Sequence, residues 1–239
     1  MHPRPPRSGP PIGFAHRGGR AGGRENTLVA FARALEIGAT GLESDAWLTA
    51  DGQVVLDHDG TTGCLWRRRR FNALRRAALP PHVPTLDELY RACGADFELS
   101  LDIKDPAALP GVLGAAGAAG AAGRLWLCHH DVGLLARWRA QLGDAGGPLL
   151  VNSMRLRHVR EGLGARLAAL ADARIDALNL HRSDWTPERV AQVRAAGLWS
   201  FAWDVQSGSD IARLLAAGVD GVYSDHVGRL MSAIAQRTG

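Results

Sequence analysis

Short apolar runs alternate with amphipathic segments along nearly the whole chain. Eight runs have the length and the β-branched or aromatic content of strands: residues 12–16 (IGFAH), 41–48 (GLESDAWL), 97–103 (FELSLDI), 124–128 (RLWLC), 148–152 (PLLVN), 176–180 (DALNL), 198–204 (LWSFAWD) and 219–223 (VDGVY). Helical patterns lie between them. Leu28, Phe31 and Leu35 fall on one helix face ahead of Gly38. Thr85-Leu86-Asp87-Glu88 is a capping box that opens a helix through Ala92. Thr186 with Pro187 is an N-cap followed by proline at the first helical position, and Gly197 closes that helix. Asp210 to Ala217 ends at Gly218 in the same manner. Residues 113–123 (LGAAGAAGAAG) are less regular, because each interior glycine costs a helix about 1 kcal/mol against alanine. They read as a weak helix packed closely on the sheet, with a loose excursion as the alternative.

Strands alternating with helices predict a parallel sheet covered by helices. Eight such units in 239 residues predict one closed α/β domain, a (β/α)8 TIM barrel over residues 12–239, since such barrels take about 250 residues. An open doubly wound sheet competes, but no GxGxxG follows the first strand. Residues 1–11 are rich in proline and have no apolar run, so they read as a disordered arm and not as a signal peptide. No stretch approaches the length of a membrane-spanning helix.

Composition changes this picture little. Hydrophobic residues make up 46% and charged residues 22%, an ordinary globular balance. The formal charge of +4 favours anionic small molecules weakly and makes no case for nucleic acid. Cys64, Cys93 and Cys128 are far apart with no CxxC, which predicts free thiols and a reducing, cytoplasmic setting.

Candidate chemistry collects at the C-terminal ends of the strands, where barrels of this kind place their sites. Glu43 and Asp45 are two apart and share a strand face. Buried in the helix layer without partners they would each cost several kcal/mol. At the barrel mouth, a hard cation such as Mg²⁺ or Ca²⁺ between them removes that penalty, and a salt-bridged pair at the rim is the alternative. Asp102 and Lys104 share a face on the third strand. Thr49-Ala50-Asp51-Gly52 is a turn signature, and a hairpin over 45–58 centred on Asp51-Gly52 returns His58 to the level of Asp45. His16 ends the first strand beside Arg17, whose guanidinium has the fork that grips a phosphate, and beside two glycines that let backbone approach a ligand. Two imidazoles, three carboxylates and two cations at one mouth suit a phosphate diester. Its hydrolysis needs cations on the non-bridging oxygens, a base for the nucleophile and an acid for the leaving alkoxide.

His16-Arg17-Gly18, Glu25-Asn26-Thr27, Glu43-x-Asp45, Thr49-x-Asp51-Gly52, His58-Asp59 and Pro84-Thr85-Leu86-Asp87-Glu88 occur in an order that resembles the glycerophosphodiester phosphodiesterase family. Asp102-Ile103-Lys104, Trp203 with Val205, and Asp220-Gly221-Val222-Tyr223-Ser224-Asp225 continue the resemblance, which runs from about Gly13 to Leu230. It implies a (β/α)8 barrel with His16 and His58 as general acid and base and with Glu43, Asp45 and Asp102 around one divalent metal. It further implies that Arg17 and Lys104 hold phosphate, and Trp203 sits where it can wall the glycerol side of the pocket. The implied reaction is metal-dependent hydrolysis of a glycerophosphodiester to sn-glycerol 3-phosphate and an alcohol. The same mechanism on a lysophospholipid or another phosphodiester is an alternative, and a non-catalytic barrel that binds a phosphorylated ligand is one of another class.

The chain departs from the family pattern in three places. Asp102 stands where a glutamate is usual. Trp203-Asp204-Val205-Gln206 replaces Trp-Thr-Val-Asn and adds a carboxylate, Asp204, that is expected to share the metal with Asp102. His129-His130 replaces Ser-Phe and is expected to line the mouth with polar groups. The run Arg67–Arg70 falls in the insertion after His58 and reads as a solvated face or as a surface for anionic head groups.

Overall fold

The structure is a computed structural model that describes residues 9–143 and 147–238. Most of the proline-rich arm, residues 1–8, lies outside the described residues. The strands are β1 (Ile12–Ala15), β2 (Gly41–Leu48), β3 (Val54–Leu56), β4 (Thr61–Thr62), β5 (Arg69–Arg70), β6 (Glu98–Ile103), β7 (Leu125–His129), β8 (Leu149–Met154), β9 (Ala177–His181), β10 (Trp199–Trp203) and β11 (Gly221–Ser224). Eight of them run parallel in the order β1-β11-β10-β9-β8-β7-β6-β2, and β1 pairs again with β2 through Phe14–Gly41 and Ala15–Leu42. The sheet is therefore closed. Each of the eight runs read from the hydrophobic pattern is one barrel strand, with ends displaced by at most two residues.

The helices that wrap the barrel are α1 (Leu28–Glu36), α2 (Leu86–Cys93), α3 (Leu109–Ala118), α4 (Val132–Leu142), α5 (Leu163–Asp172), α6 (Pro187–Ala195), α7 (Gly208–Ala217) and α8 (Val227–Thr238). The capping box of α2 is present in both halves, with Thr85 Oγ1 accepting from Glu88 N and Glu88 Oε2 accepting from Thr85 N. Much of the Ala-Ala-Gly repeat forms the end of α3. Of its glycines, Gly114 and Gly117 face open space, so the repeat is helical without the close approach that would require glycine. Ala115 and Ala116 supply its buried face.

Side chains alternate between two apolar regions, as the two-residue period of a strand demands. Odd positions of β2 and β9 to β11 and even positions of β1, β6 and β7 point inward. Ile12, Phe14, Trp126, Val151, Ala177, Phe201 and Tyr223 fill the lumen. Leu42, Ala46, Leu99, Leu101, Leu127 and Val222 point outward into the helix layer. In the lumen Phe14 stacks on Tyr223 at 4.4 Å, with Phe201 edge-on to Phe14 at 5.6 Å. Two glycines make room for these rings. A Cβ on Gly41 would lie 2.5 Å from the Phe14 ring, and one on Gly221 would lie 2.8 Å from the Phe201 ring and 3.2 Å from Phe14. Since Phe14 and Phe201 are fully buried, neither ring has free space to turn into.

Gly221→Ala is accordingly expected to destabilise the fold by about 1–3 kcal/mol, the usual cost of overpacking a dense core. Urea denaturation with an unchanged slope would measure it, and an unaltered midpoint would show that the lumen is looser than this packing requires.

Candidate functional site

A pocket of about 310 Å³ opens at the C-terminal end of the barrel, and its lining includes His16, Arg17, Glu43, Asp45, His58, Asp102, Lys104, Trp203 and Asp204. These residues come together because each lies in lumen phase at or just beyond a strand end. Glu43 and Asp45 share the inward face of β2, and Asp45 sits beside Asp102 in the β2–β6 register. The hairpin turn is as the sequence predicts: Thr49 Oγ1 donates to Asp51 Oδ1 at 2.7 Å, and Gly52 has φ +78°. Asp57, not His58, pairs with Asp45, through its N–H to the Asp45 carbonyl at 3.0 Å. His58 follows one residue later and still reaches the pocket lining.

Both histidines are tethered in the same way. His16 Nδ1 is 2.6 Å from Asp225 Oδ1, and His58 Nδ1 is 2.8 Å from Asp59 Oδ1. A carboxylate behind Nδ1 favours the tautomer protonated there and orients the ring. Nε2 of each ring is left without a hydrogen bond among the described residues, with His16 Nε2 lying 3.9 Å from Glu43 Oε2. Burial works against a charge on His16, but Glu43 and the Asp225 bond outweigh it and raise its pKa. Burial also opposes charge on Asp225, yet the bond to His16 prevails and its pKa is lowered.

Arg17 has a left-handed backbone, φ +52°, rare for a residue with a side chain. The conformation lets its N–H donate to Glu43 Oε2 at 2.9 Å while its guanidinium meets Glu25 at 3.1 Å and Asp45 at 3.6 Å. Lys104 Nζ bridges Asp45 at 3.1 Å and Asp102 at 2.8 Å. The two attractions outweigh burial and raise its pKa, so it stays charged. The β2 carboxylates are 8% and 2% exposed. Burial pushes Glu43 above the usual carboxylate range, although the charge of His16 partly counters it. Asp45 is pushed up to about 7, by burial first and by the Glu43 charge second.

Among the described residues, no three His, Cys, Asp or Glu side chains already converge as a metal cluster. The donors nevertheless fit a hard cation. Asp45 Oδ2 is buried without a hydrogen-bond partner, and it belongs to a carboxylate that two neighbouring acids disfavour in its charged form. Oxygen-only donors in mutual repulsion are stabilised by a divalent ion that sits between them.

His129 does not join the site, which corrects the expectation that it lines the mouth. It is one residue out of phase with the inward-facing Cys128, so its ring points into the helix layer, edge-on to Trp138 at 5.8 Å. Asp204 does line the pocket, but its Oδ2 binds His181 Nε2 at 3.0 Å and lies 3.4 Å from Arg182 Nε. It follows β10, four strands from β6 in a ring of eight, which sets it across the mouth from Asp102. Asp225, Asp59 and Glu25 emerge as supports for His16, His58 and Arg17. Asp225 was visible in the sequence as an acid in phase with Tyr223 just past a strand end, but its partner was not.

Residues 16–110 match the model of the glycerophosphoryl diester phosphodiesterase family. A glycerophosphodiester phosphodiesterase of Caldanaerobacter subterraneus is 28% identical over 92% of this chain and 96% of its own length. The chain is thus similar to glycerophosphodiester phosphodiesterases over most of its length, and to that family's model over residues 16–110. Solved structures share its fold. The glycerophosphodiester phosphodiesterase of Thermotoga maritima superposes with a TM-score of 0.79 at 23% identity, covering 95% of this chain and 99% of that one. A phosphodiesterase of Oleispira antarctica, in complex with its product sn-glycerol-3-phosphate, superposes with a TM-score of 0.79 at 20% identity, covering 95% and 97%. The groups at this mouth are of the kinds that phosphodiester hydrolysis calls on.

Asp225→Asn keeps the size of the side chain and removes the charge behind His16. It is expected to lower kcat for phosphodiester hydrolysis by at least about tenfold, a fraction of what a whole acid–base group contributes. Steady-state rates on bis(p-nitrophenyl) phosphate, with melting temperature as the fold control, measure it. A folded variant of full activity would show that His16 needs no such tether.

Proposed function

We propose that this chain hydrolyses glycerophosphodiesters to sn-glycerol 3-phosphate and an alcohol, using a divalent cation and a pair of histidines. The observation that carries the reading is two carboxylate-tethered imidazoles, His16 and His58, in one pocket with Glu43, Asp45 and Asp102. The bound product of the Oleispira relative supports the choice of substrate.

In this mechanism one imidazole accepts a proton from the attacking water as its oxygen bonds to phosphorus. The other delivers a proton to the alkoxide as the bond from phosphorus to the leaving oxygen breaks. Proton exchange with water then restores both rings. Arg17 and Lys104, both on the pocket lining, would supply the positive charge that the non-bridging oxygens need. Glu43, Asp45 and Asp102 would hold the cation, which offsets phosphate charge and polarises the bonds to phosphorus. Their oxygen-only character favours Mg²⁺ or Ca²⁺. Asp204 acts apart from this set, as a wall of the opposite side held by His181 and Arg182. Trp203 forms that side with Arg155, whose guanidinium lies 5.2 Å from its ring centre. The free thiols Cys64, Cys93 and Cys128 support a reducing, cytoplasmic setting. Among the described residues no helix is long and apolar enough to cross a membrane.

Exhaustive chelation with EDTA is expected to abolish turnover, and Mg²⁺ or Ca²⁺ is expected to restore it. Elemental analysis of the chelated protein makes the test decisive, because metal-free protein that still turns over would eliminate the cation from the reaction. A protein that binds the ion and a phosphorylated ligand but never turns over a diester would instead be a non-catalytic member of the fold.

His16→Ala and His58→Ala are each expected to lower kcat by at least about 100-fold with the fold intact, the low end of a general acid–base contribution. Near-normal kcat in either folded variant would remove that histidine from the mechanism.

A further inference from the structure

The segment that leaves the pocket after His58 carries a feature the reaction does not use. Asp57 Oδ1 accepts from Asp59 N and Gly60 N, which turns the chain outward directly behind His58. Thr61–Thr62 and Arg69–Arg70 then pair as a two-stranded antiparallel ribbon, β4 with β5. A single helical turn, Leu65–Arg67, forms its tip. The ribbon returns to the body at Phe71, which is buried beside Val55, Leu74 and Leu79. The tip presents Trp66, 90% exposed, and the exposed residues Arg67 to Arg70.

Of the four consecutive arginines, Arg68 is engaged. Its Nη2 donates to Asp59 Oδ2 at 3.0 Å, and Asp59 in turn tethers His58. The ribbon is thereby fastened to the mouth of the pocket. Among the described residues no acidic side chain pairs with Arg67, Arg69 or Arg70. An exposed indole amid unpaired arginines suits a boundary where apolar and anionic chemistry meet. Indole partitions to the bilayer interface, and guanidinium is attracted to the phosphates there.

We infer that the β4–β5 ribbon docks the protein on an anionic lipid surface, with Trp66 entering the headgroup layer and Arg67, Arg69 and Arg70 on lipid phosphates. The pocket mouth then faces the bilayer, where phosphodiesters derived from lipids arise. Duplex nucleic acid is the competing polyanion, but its bases are paired and stacked on one another and offer no open face to an isolated indole at the tip of a two-residue ribbon. The inference does not depend on the hydrolytic reading, because docking is measured without substrate.

The test is co-sedimentation of the full chain with phosphatidylcholine vesicles that either contain or lack phosphatidylserine. Protein should pellet with the anionic vesicles and stay in solution with the neutral ones, and added salt should release it. Each arginine near an anionic surface strengthens binding about fivefold, so R67Q/R69Q/R70Q should weaken it by about 100-fold and each single variant by about fivefold. Trp66→Ala should weaken binding at low and high salt alike. Arg68 stays in place because it supports His58. Melting temperature and hydrolysis of bis(p-nitrophenyl) phosphate should be unchanged in all these variants. Failure of the wild type to pellet with anionic vesicles would overturn the inference. So would undiminished pelleting of the triple variant, or tighter binding to duplex DNA than to vesicles at equal phosphate.

Discussion

Closure of the eight-stranded sheet through the short β1–β2 pair is the constraint on which the rest of the molecule depends. Once the sheet is closed, every strand has an inside and an outside, and residues two apart share one of them. Phe14, Phe201 and Tyr223 fill the middle of the lumen, with Gly41 and Gly221 leaving space for them. The next inward residues along the same strands have no room to go deeper and emerge at the mouth. His16 follows Phe14, Glu43 follows Gly41, Asp225 follows Tyr223 and Trp203 follows Phe201, each at the two-residue step. The packed aromatic layer is thus also the floor of the site.

The charges above that floor are arranged in opposition. Burial first, and then the charge of Asp102 on Glu43 and of Glu43 on Asp45, pushes both carboxylates toward the neutral form. Lys104, Arg17 and His16 supply positive charge at their edges. Under the proposed function, a divalent ion would relieve the carboxylates and a phosphate would then satisfy the cations. Each imidazole is held from behind by its own carboxylate, Asp225 just past β11 for His16 and the adjacent Asp59 for His58, which leaves its Nε2 without a hydrogen bond among the described residues.

The insertion after β2 links this chemistry to the outer surface. Its hairpin brings Asp57 back beside Asp45 and leaves His58 on the pocket lining, and its outer ribbon carries a basic, indole-tipped face away from the barrel. One chain of contacts, Arg68 to Asp59 to His58, spans the two. A loop of this kind changes the surroundings of the site without disturbing the barrel, since Phe71 and Leu74 anchor its far end in a small apolar cluster of their own.

Much of the fold and of the site was legible in the sequence because both rest on local periodicities. Eight apolar runs separated by capped helices identify the barrel. Glu43 with Asp45, and Asp102 with Lys104, reveal their shared face through a spacing of two. Where that rule was not applied, the reading failed: His129 stands one step out of phase with Cys128, and it packs on Trp138 outside the lumen. Contacts between distant segments could not be read in this way. Asp225 lies 209 residues from His16 and becomes its partner only when β11 pairs with β1. Asp204 looked like a further ligand for the ion of Asp102, yet strand order places it across the mouth, against His181 and Arg182. Period and capping are properties of a few consecutive residues, so the sequence by itself determined the elements and the residues that face inward. Which of those residues meet is decided by the order of strands around a closed ring, and that order exists only in the tertiary structure.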